Sequence, residues 1–114
     1  MPTPKWVYIA SPYRGDVETN TERARRYCRF AVRRFCLPMC PHIFVTRFLD
    51  DADDDERKAG LYLGLQMLYR CEELWAFGSY ISDGMKAEIA AAKRRGIPVR
   101  YFNVSCEEVS HASD

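Results

Sequence analysis

Ser82, Gly84 and Glu88 stand where an apolar run gives way to a run with helical spacing. Leu74-Trp75-Ala76-Phe77 reads as a strand, and Glu88 to Arg95 reads as a helix. A strand that feeds a helix through a Ser/Gly turn leaves backbone N–H groups free at the helix start, and those groups attract an anion. Glu88 falls about one turn inside the helix, so its carboxylate faces the same crevice. An anion cradle beside an acid can hold a phosphorylated or polyhydroxy ligand and act on it. The same residues also fit a simpler reading, a capped helix whose early acid complements the dipole.

The elements that must position these groups alternate along the chain. Lys5 to Ala10 is β-branched and aromatic and reads as a first strand. Ser11-Pro12-Tyr13-Arg14-Gly15 ends it with turn residues. Thr19 and Glu22 fit a capping box. Ala24, Tyr27, Cys28, Ala31 and Phe35 then recur at helical spacing, which predicts a helix over 20–35. Leu37 to Phe44 reads as a short strand or extended segment, which Pro38 and Pro41 make irregular or an edge. The acidic run Asp50 to Asp55 supplies charge to the start of a second helix that continues to about Cys71. Leu74 to Phe77 is the central strand, with Trp75 and Phe77 as core. Met85 to Arg95 is a third helix stopped by Gly96, and Pro98 to Asn103 is a last strand. The expected organisation is one α/β domain over 1–104 and a polar tail over 105–114.

Composition bounds the function. A chain of 114 residues supports one core. Hydrophobic content of 47% and charged content of 29% fit a soluble globular class. A net charge of +1 gives no global reason to expect nucleic acid or membrane as partner. Arg23, Arg25, Arg26, Arg29, Arg33 and Arg34 cluster on the first helix and read as its solvated face. Five cysteines without a C-x-x-C pair argue against a disulfide framework or a zinc site. Reduced thiols, the lack of a long apolar span and the lack of a signal peptide lead to an expected cytoplasmic location. No metal and no cofactor is expected; Asp50 to Asp55 lacks the spacing of a calcium loop.

Strands separated by helices imply a parallel sheet with right-handed crossovers. Ligands then bind outside the carboxyl ends of the strands, where the strand order reverses. This rule gathers the loops Ser11–Gly15, His42–Asp51 and Gly78–Gly84 with Glu88. A phenol, a guanidinium, a helix N-terminus and a carboxylate converge there. His42 could stack on a base or bind a hydroxyl, and it could equally be structural. Tyr13 could cap the pocket by stacking. The apolar stripe Leu61, Tyr62, Leu65, Leu68 and Tyr69 exceeds what one sheet face needs, which suggests a surface for a second copy.

Tyr8-Ile9-Ala10-Ser11-Pro12-Tyr13-Arg14-Gly15 and Ser82-x-Gly84-x-x-x-Glu88 resemble the nucleoside 2-deoxyribosyltransferase superfamily. Their spacing is similar to its nucleotide branch, the 2′-deoxynucleoside 5′-phosphate N-hydrolases. Pro41-His42, Phe48 to Asp51 and Glu73-Leu74-Trp75 add similarity to small bacterial and phage members of that fold. The resemblance covers roughly residues 5 to 102. It implies a small doubly wound, flavodoxin-like parallel sheet of four to five strands flanked by helices. It implies Glu88 as the nucleophile on the anomeric carbon and Tyr8 as the residue that orients it. It places Ser82, Arg14 and Gly15 near a 5′-phosphate; the strand-end rule puts Ser11, Tyr13, His42, Asp83 and Gly84 in the same binding crevice. The resemblance also implies a homo-oligomer. The family carries an acid on the helix before the central strand, and here the matching turn, Gly64-Leu65-Gln66, has none; Asp50, Asp51 or Asp83 could substitute from loops.

Two functions follow as expectations. The first is a protein that cleaves or transfers at the N-glycosidic bond of a nucleoside or nucleotide. The second is a non-catalytic protein that binds or sequesters a nucleotide-like ligand.

Overall fold

The computed structural model describes residues 2–110. Five strands form one sheet: β1 (Lys5–Ala10), β2 (Cys36–Met39), β3 (Glu73–Phe77), β4 (Val99–Phe102) and β5 (Glu108–Val109). Their order is β2-β1-β3-β4-β5. The first four run parallel, and β5 lies antiparallel on β4. The helices are α1 (Val17–Arg33), α2 (Pro41–Phe44), α3 (Asp54–Tyr69) and α4 (Asp83–Arg94). The chain moves from β1 to β2 on one side and then to β3 on the other. The strand order therefore reverses between β1 and β3, at whose carboxyl ends a crevice must open.

The two faces of the sheet are chemically different because side chains alternate along each strand. Val7, Ile9, Trp75, Phe77 and Phe102 point toward α1 and pack on Ala24, Tyr27 and Ala31. Tyr27 stacks on Phe77 at 4.1 Å and Phe77 on Phe102 at 5.0 Å. Tyr8, Ala10, Leu74 and Ala76 point the other way, into a core with Leu68, Met85, Ala91 and Ala92. Alanines on strand and helix alike leave little bulk there. Tyr8 is the large polar residue in that layer, 1% exposed.

Four expectations are corrected. The helix expected over 20–35 begins at Val17 and ends at Arg33. Its cap is Asp16, whose carboxylate accepts from the Thr19 N–H at 3.1 Å and the Thr19 hydroxyl at 2.8 Å. Thr19 is therefore a donor to the cap, and Glu22 pairs with Arg25 instead of closing a capping box. The strand expected over 37–44 stops at Met39, and Pro41 opens a helical turn because its fixed φ suits the first helical position. Ser105 to Ser110, expected as tail, turns back so that Glu108 and Val109 extend the sheet. Arg100 fastens that turn with two contacts to the Glu108 carboxylate, 2.9 and 2.7 Å. The rest of the expected tail, 111–114, lies outside the described residues.

The expectations for β1, β3, β4, α3 and α4 agree with the structure to within a few residues. Ser82 caps α4 and Gly96, at φ +72°, ends it. Phe44, Phe48, Leu61 and Tyr62 are exposed on the single chain. No helix among the described residues is long and apolar enough to cross a membrane.

The α1 face should dominate stability. Phe77→Ala removes a fully buried ring from the centre of the aromatic stack and should destabilise the fold by about 3–5 kcal/mol, read from urea unfolding. A loss under about 1 kcal/mol would show that the stack relaxes around the void.

Candidate active site

Two groups of predicted residues lie at the carboxyl ends of β1 and β3. In the first, the Tyr8 hydroxyl donates a hydrogen bond to Oε2 of Glu88. β1 supplies the phenol and α4 the carboxylate, so the contact joins sheet to helix. Burial pushes the Glu88 carboxyl up to about 7, and the Tyr8 hydrogen bond opposes that shift. Burial first, and the adjoining Glu88 charge second, hold the Tyr8 hydroxyl well above its ordinary value. The phenol is thus a permanent donor at neutral pH. Gly64 on α3 borders the same place: a Cβ there would sit 3.5 Å from the Tyr8 oxygen and 3.4 Å from Pro41. Any longer side chain at 64 would press on the phenol.

The second group is built on the loop after β1. Gly15, at φ +93°, turns that loop into α1. Asn20 fastens it by donating from Nδ2 to the Tyr13 and Arg14 carbonyls, each at 3.1 Å. His42 Nε2 lies 2.9 Å from the Ser11 carbonyl. A carbonyl can only accept, so Nε2 carries the proton and Nδ1 is the ring's acceptor. Burial lowers the His42 pKa, against opposing effects of the Ser11 carbonyl and Asp51, so the ring is neutral at pH 7. Tyr13 stacks on His42 with centroids 5.0 Å apart. Ser11 is 1% exposed, and its hydroxyl has no partner among the described residues.

Arg14 Nε contacts Asp51 Oδ2 at 3.4 Å, and Arg57 reaches the other Asp51 oxygen at 4.0 Å. An open cleft of about 460 Å³ adjoins this pair, with Tyr13, Thr46, Phe48, Asp51 and Glu56 among its walls. Tyr8 and Glu88 do not line it. The Tyr8–Glu88 contact and the Ser11–His42–Tyr13 contacts are thus two local groups, with the open cleft beside the second.

The start of α4 links to the first cluster along one helical face. Gly84 precedes Glu88 by one turn, and a Cβ at 84 would meet nothing closer than the Ser82 hydroxyl at 4.0 Å. Ser82 accepts from the Met85 N–H at 3.2 Å, which leaves its own proton for a ligand. Asp83 is fully exposed and faces Lys86 at 3.9 Å, turned to solvent.

Four other carboxylates that the sequence singles out as alternatives or neighbours are already engaged. Glu72 accepts from the Trp6 N–H, and Glu73 holds Lys5, Trp75 and Arg100; both lie at the amino end of the sheet, away from the site. Asp50 accepts from the Ala52 N–H, and Asp53 caps α3. Among the described residues no group of three or more His, Cys, Asp or Glu could hold a metal ion. The structure adds Asn20, Arg57 and Gly64 to the site. Of these, only Gly64 had a sequence signal, as part of the turn where the resemblance expects an acid.

Residues 5–102 match the family described as Domain of unknown function (DUF7768). No curated protein matches the chain. Among solved structures it is similar to a 2-deoxyribosyltransferase from the psychrotolerant bacterium Bacillus psychrosaccharolyticus. The TM-score is 0.72 at 16% identity, over 86% of this chain and 72% of that one. It is also similar to a 2-deoxyribosyltransferase from Leishmania mexicana, with a TM-score of 0.63 at 16% identity. There the match covers 88% of this chain and 65% of the other, just under two thirds. The likeness is one of fold: an α/β sheet of five strands flanked by four helices, as in the deoxyribosyltransferases.

The buried carboxyl gives a signed pH effect. Its folded pKa, about 7, lies above the ordinary 4.5. The stability it contributes is full below 4.5 and is lost as pH rises through about 7. Glu88→Gln removes that dependence. Relative to wild type, the variant should gain up to about 3 kcal/mol in unfolding free energy between about pH 5 and pH 8. Parallel stability curves for the two proteins would show that Glu88 titrates normally.

Proposed function

This chain belongs to the family described as Domain of unknown function (DUF7768), and we propose that it cleaves or transfers at the N-glycosidic bond of a nucleoside or nucleotide, with Glu88 as nucleophile. The observation that carries this is the Tyr8–Glu88 pair at the topological switch of the sheet, one helical turn below the bare backbone at Gly84. The deoxyribosyltransferase-like fold supports the nucleoside class of substrate.

Tyr8 holds Oε2 of Glu88 and leaves Oε1 to attack the anomeric carbon. As that C–O bond forms, the C–N bond breaks, and its electron pair leaves with the base, which takes a proton from solvent. Water or a second base then opens the glycosyl ester and returns the carboxylate. The ionised carboxylate is the reactive form. With the Glu88 pKa near 7, base release should rise with pH up to about 7 and level off above it.

The second cluster suits ligand binding. Tyr13 and the neutral His42 offer stacked rings to a base. The unpartnered Ser11 hydroxyl is a buried group that a ligand would satisfy. Arg14, Gly15, Ser82 and Gly84 suit a 5′-phosphate, because a guanidinium and helix-start N–H groups favour an anion. Asp83, facing solvent, has a smaller part in this reading.

One observation favours a non-catalytic binder. α3 presents Gly64, not a carboxyl, to the Tyr8–Glu88 pair, and Asp51 is engaged by two arginines. A leaving base would then depart without an acid from that helix.

Base release, followed by chromatography over deoxyribo- and ribonucleosides and their monophosphates, separates the readings. Glu88→Gln should lower turnover by roughly a hundredfold or more while ligand binding persists. Unchanged turnover would reject Glu88 as nucleophile. Tight binding with no turnover of any panel member would establish the binder instead.

Arg14→Ala and Ser82→Ala should each weaken monophosphates by about 1.5–3 kcal/mol and nucleosides much less, measured by calorimetry. Equal losses for both ligand classes would remove the phosphate assignment.

A further inference from the structure

The other face of the sheet carries a second cavity. α1 and the turn between β4 and β5 flank an open groove of about 520 Å³, lined by Arg26, Arg29, Phe30, Arg33, Val104 and Cys106 among others. The three arginines fall at positions i, i+3 and i+7, so they share one helical face. None of the lining residues is acidic. Arg26 donates to the Val104 carbonyl at 3.1 Å, which fixes the far wall. The ion pairs of the described residues use Arg14, Arg25, Arg57 and Arg100; Arg29 and Arg33 have no acidic partner there. The acids nearest in sequence to the far wall are occupied, Glu108 by Arg100 and Glu107 by Asn103. Phe30 packs edge-on against Phe77 and Phe102, so one wall is rigid and apolar.

We propose that this groove is a second ligand site, separate from the Tyr8–Glu88 crevice, and that it binds a small polyphosphate anion of the triphosphate class. Three guanidiniums without a counterion in one concave place favour a polyvalent anion. Arg26 to Arg33 spans about 10 Å of helix, which fits several linked phosphates better than one. The volume is that of a small-molecule site. A nucleic-acid polymer would need a basic track continuing past the groove. Arg23 and Arg34 extend the row along α1 by one residue at each end, Arg25 is paired with Glu22, and the turn on the far side carries Glu107 and Glu108.

The test is calorimetric titration of the whole chain with tripolyphosphate and ATP at low salt, with inorganic phosphate and a single-stranded oligonucleotide as comparison probes. Wild type should bind tripolyphosphate at the groove, and phosphate more weakly; ATP taken up at the Arg14 crevice is separated by Arg14→Ala, which should keep the groove site. Arg29→Ala combined with Arg33→Ala should weaken tripolyphosphate by about tenfold or more, since each change loses a charge-assisted contact. Arg25→Ala, outside the groove, and Glu88→Gln, in the other site, should bind as wild type does. Thermal melts check that every variant is folded. Absence of saturable tripolyphosphate binding, an equal loss in Arg25→Ala, or a loss in Arg14→Ala instead of the groove variant would overturn the proposal. So would an oligonucleotide that binds more tightly than tripolyphosphate through the same arginines.

Discussion

A carboxylate removed from water needs a partner, and in this fold the partner is a phenol on the first strand. The Tyr8–Glu88 hydrogen bond crosses from β1 to α4 and is the polar contact inside an otherwise apolar layer. The surroundings accommodate it. Ala10 and Ala76 flank the phenol's layer with small side chains, Gly64 clears the space over the hydroxyl, and Ser82 fixes where α4 begins. Shifting α4 by one residue would rotate Glu88 about 100° away from the strand. The cap, the glycine and the register of β1 against β3 thus serve one geometry.

The division of labour between the two sheet faces follows from it. The α1 side carries the large aromatics and resembles an ordinary core. The α3–α4 side buries less bulk and contains a titratable pair whose charge state alters near neutrality. The aromatic stack occupies one face and the titratable pair the other. The loops that lead out of β1 and β3 carry Tyr13, Arg14 and Ser82.

What could be read from residue order was local. β1 and β3 announce themselves by unbroken apolar runs, and α4 by Ser82 at one end and Gly96 at the other. Glu88 is legible from its place one turn inside a helix start, and Tyr8 only through the resemblance of its strand-end motif. What escaped was tertiary. Asp16 outcompetes Thr19 as cap because the whole loop is held by Asn20. Pro41 starts a helix instead of breaking a strand, which carries His42 to the Ser11 carbonyl. The Arg14–Asp51–Arg57 contacts join three segments that no local pattern connects. The arginines of α1 were visible as a stripe, but the wall facing them was not, since that turn reads as a polar tail until Arg100 pins Glu108.

The short β5 has a further consequence for how copies of the chain meet. A parallel sheet ending at β4 would show a row of unpaired backbone donors and acceptors, a template on which another chain could polymerise. Two antiparallel residues cover part of that row, and the Arg100–Glu108 fork clamps charges over it. At the opposite rim β2 is four residues long and contains Pro38, which lacks a donor. Both rims are therefore poor seeds for fibre growth. The sheet resists strand-by-strand extension, and apart from Trp6 on β1 the exposed large apolar side chains of the described residues lie on helices and loops.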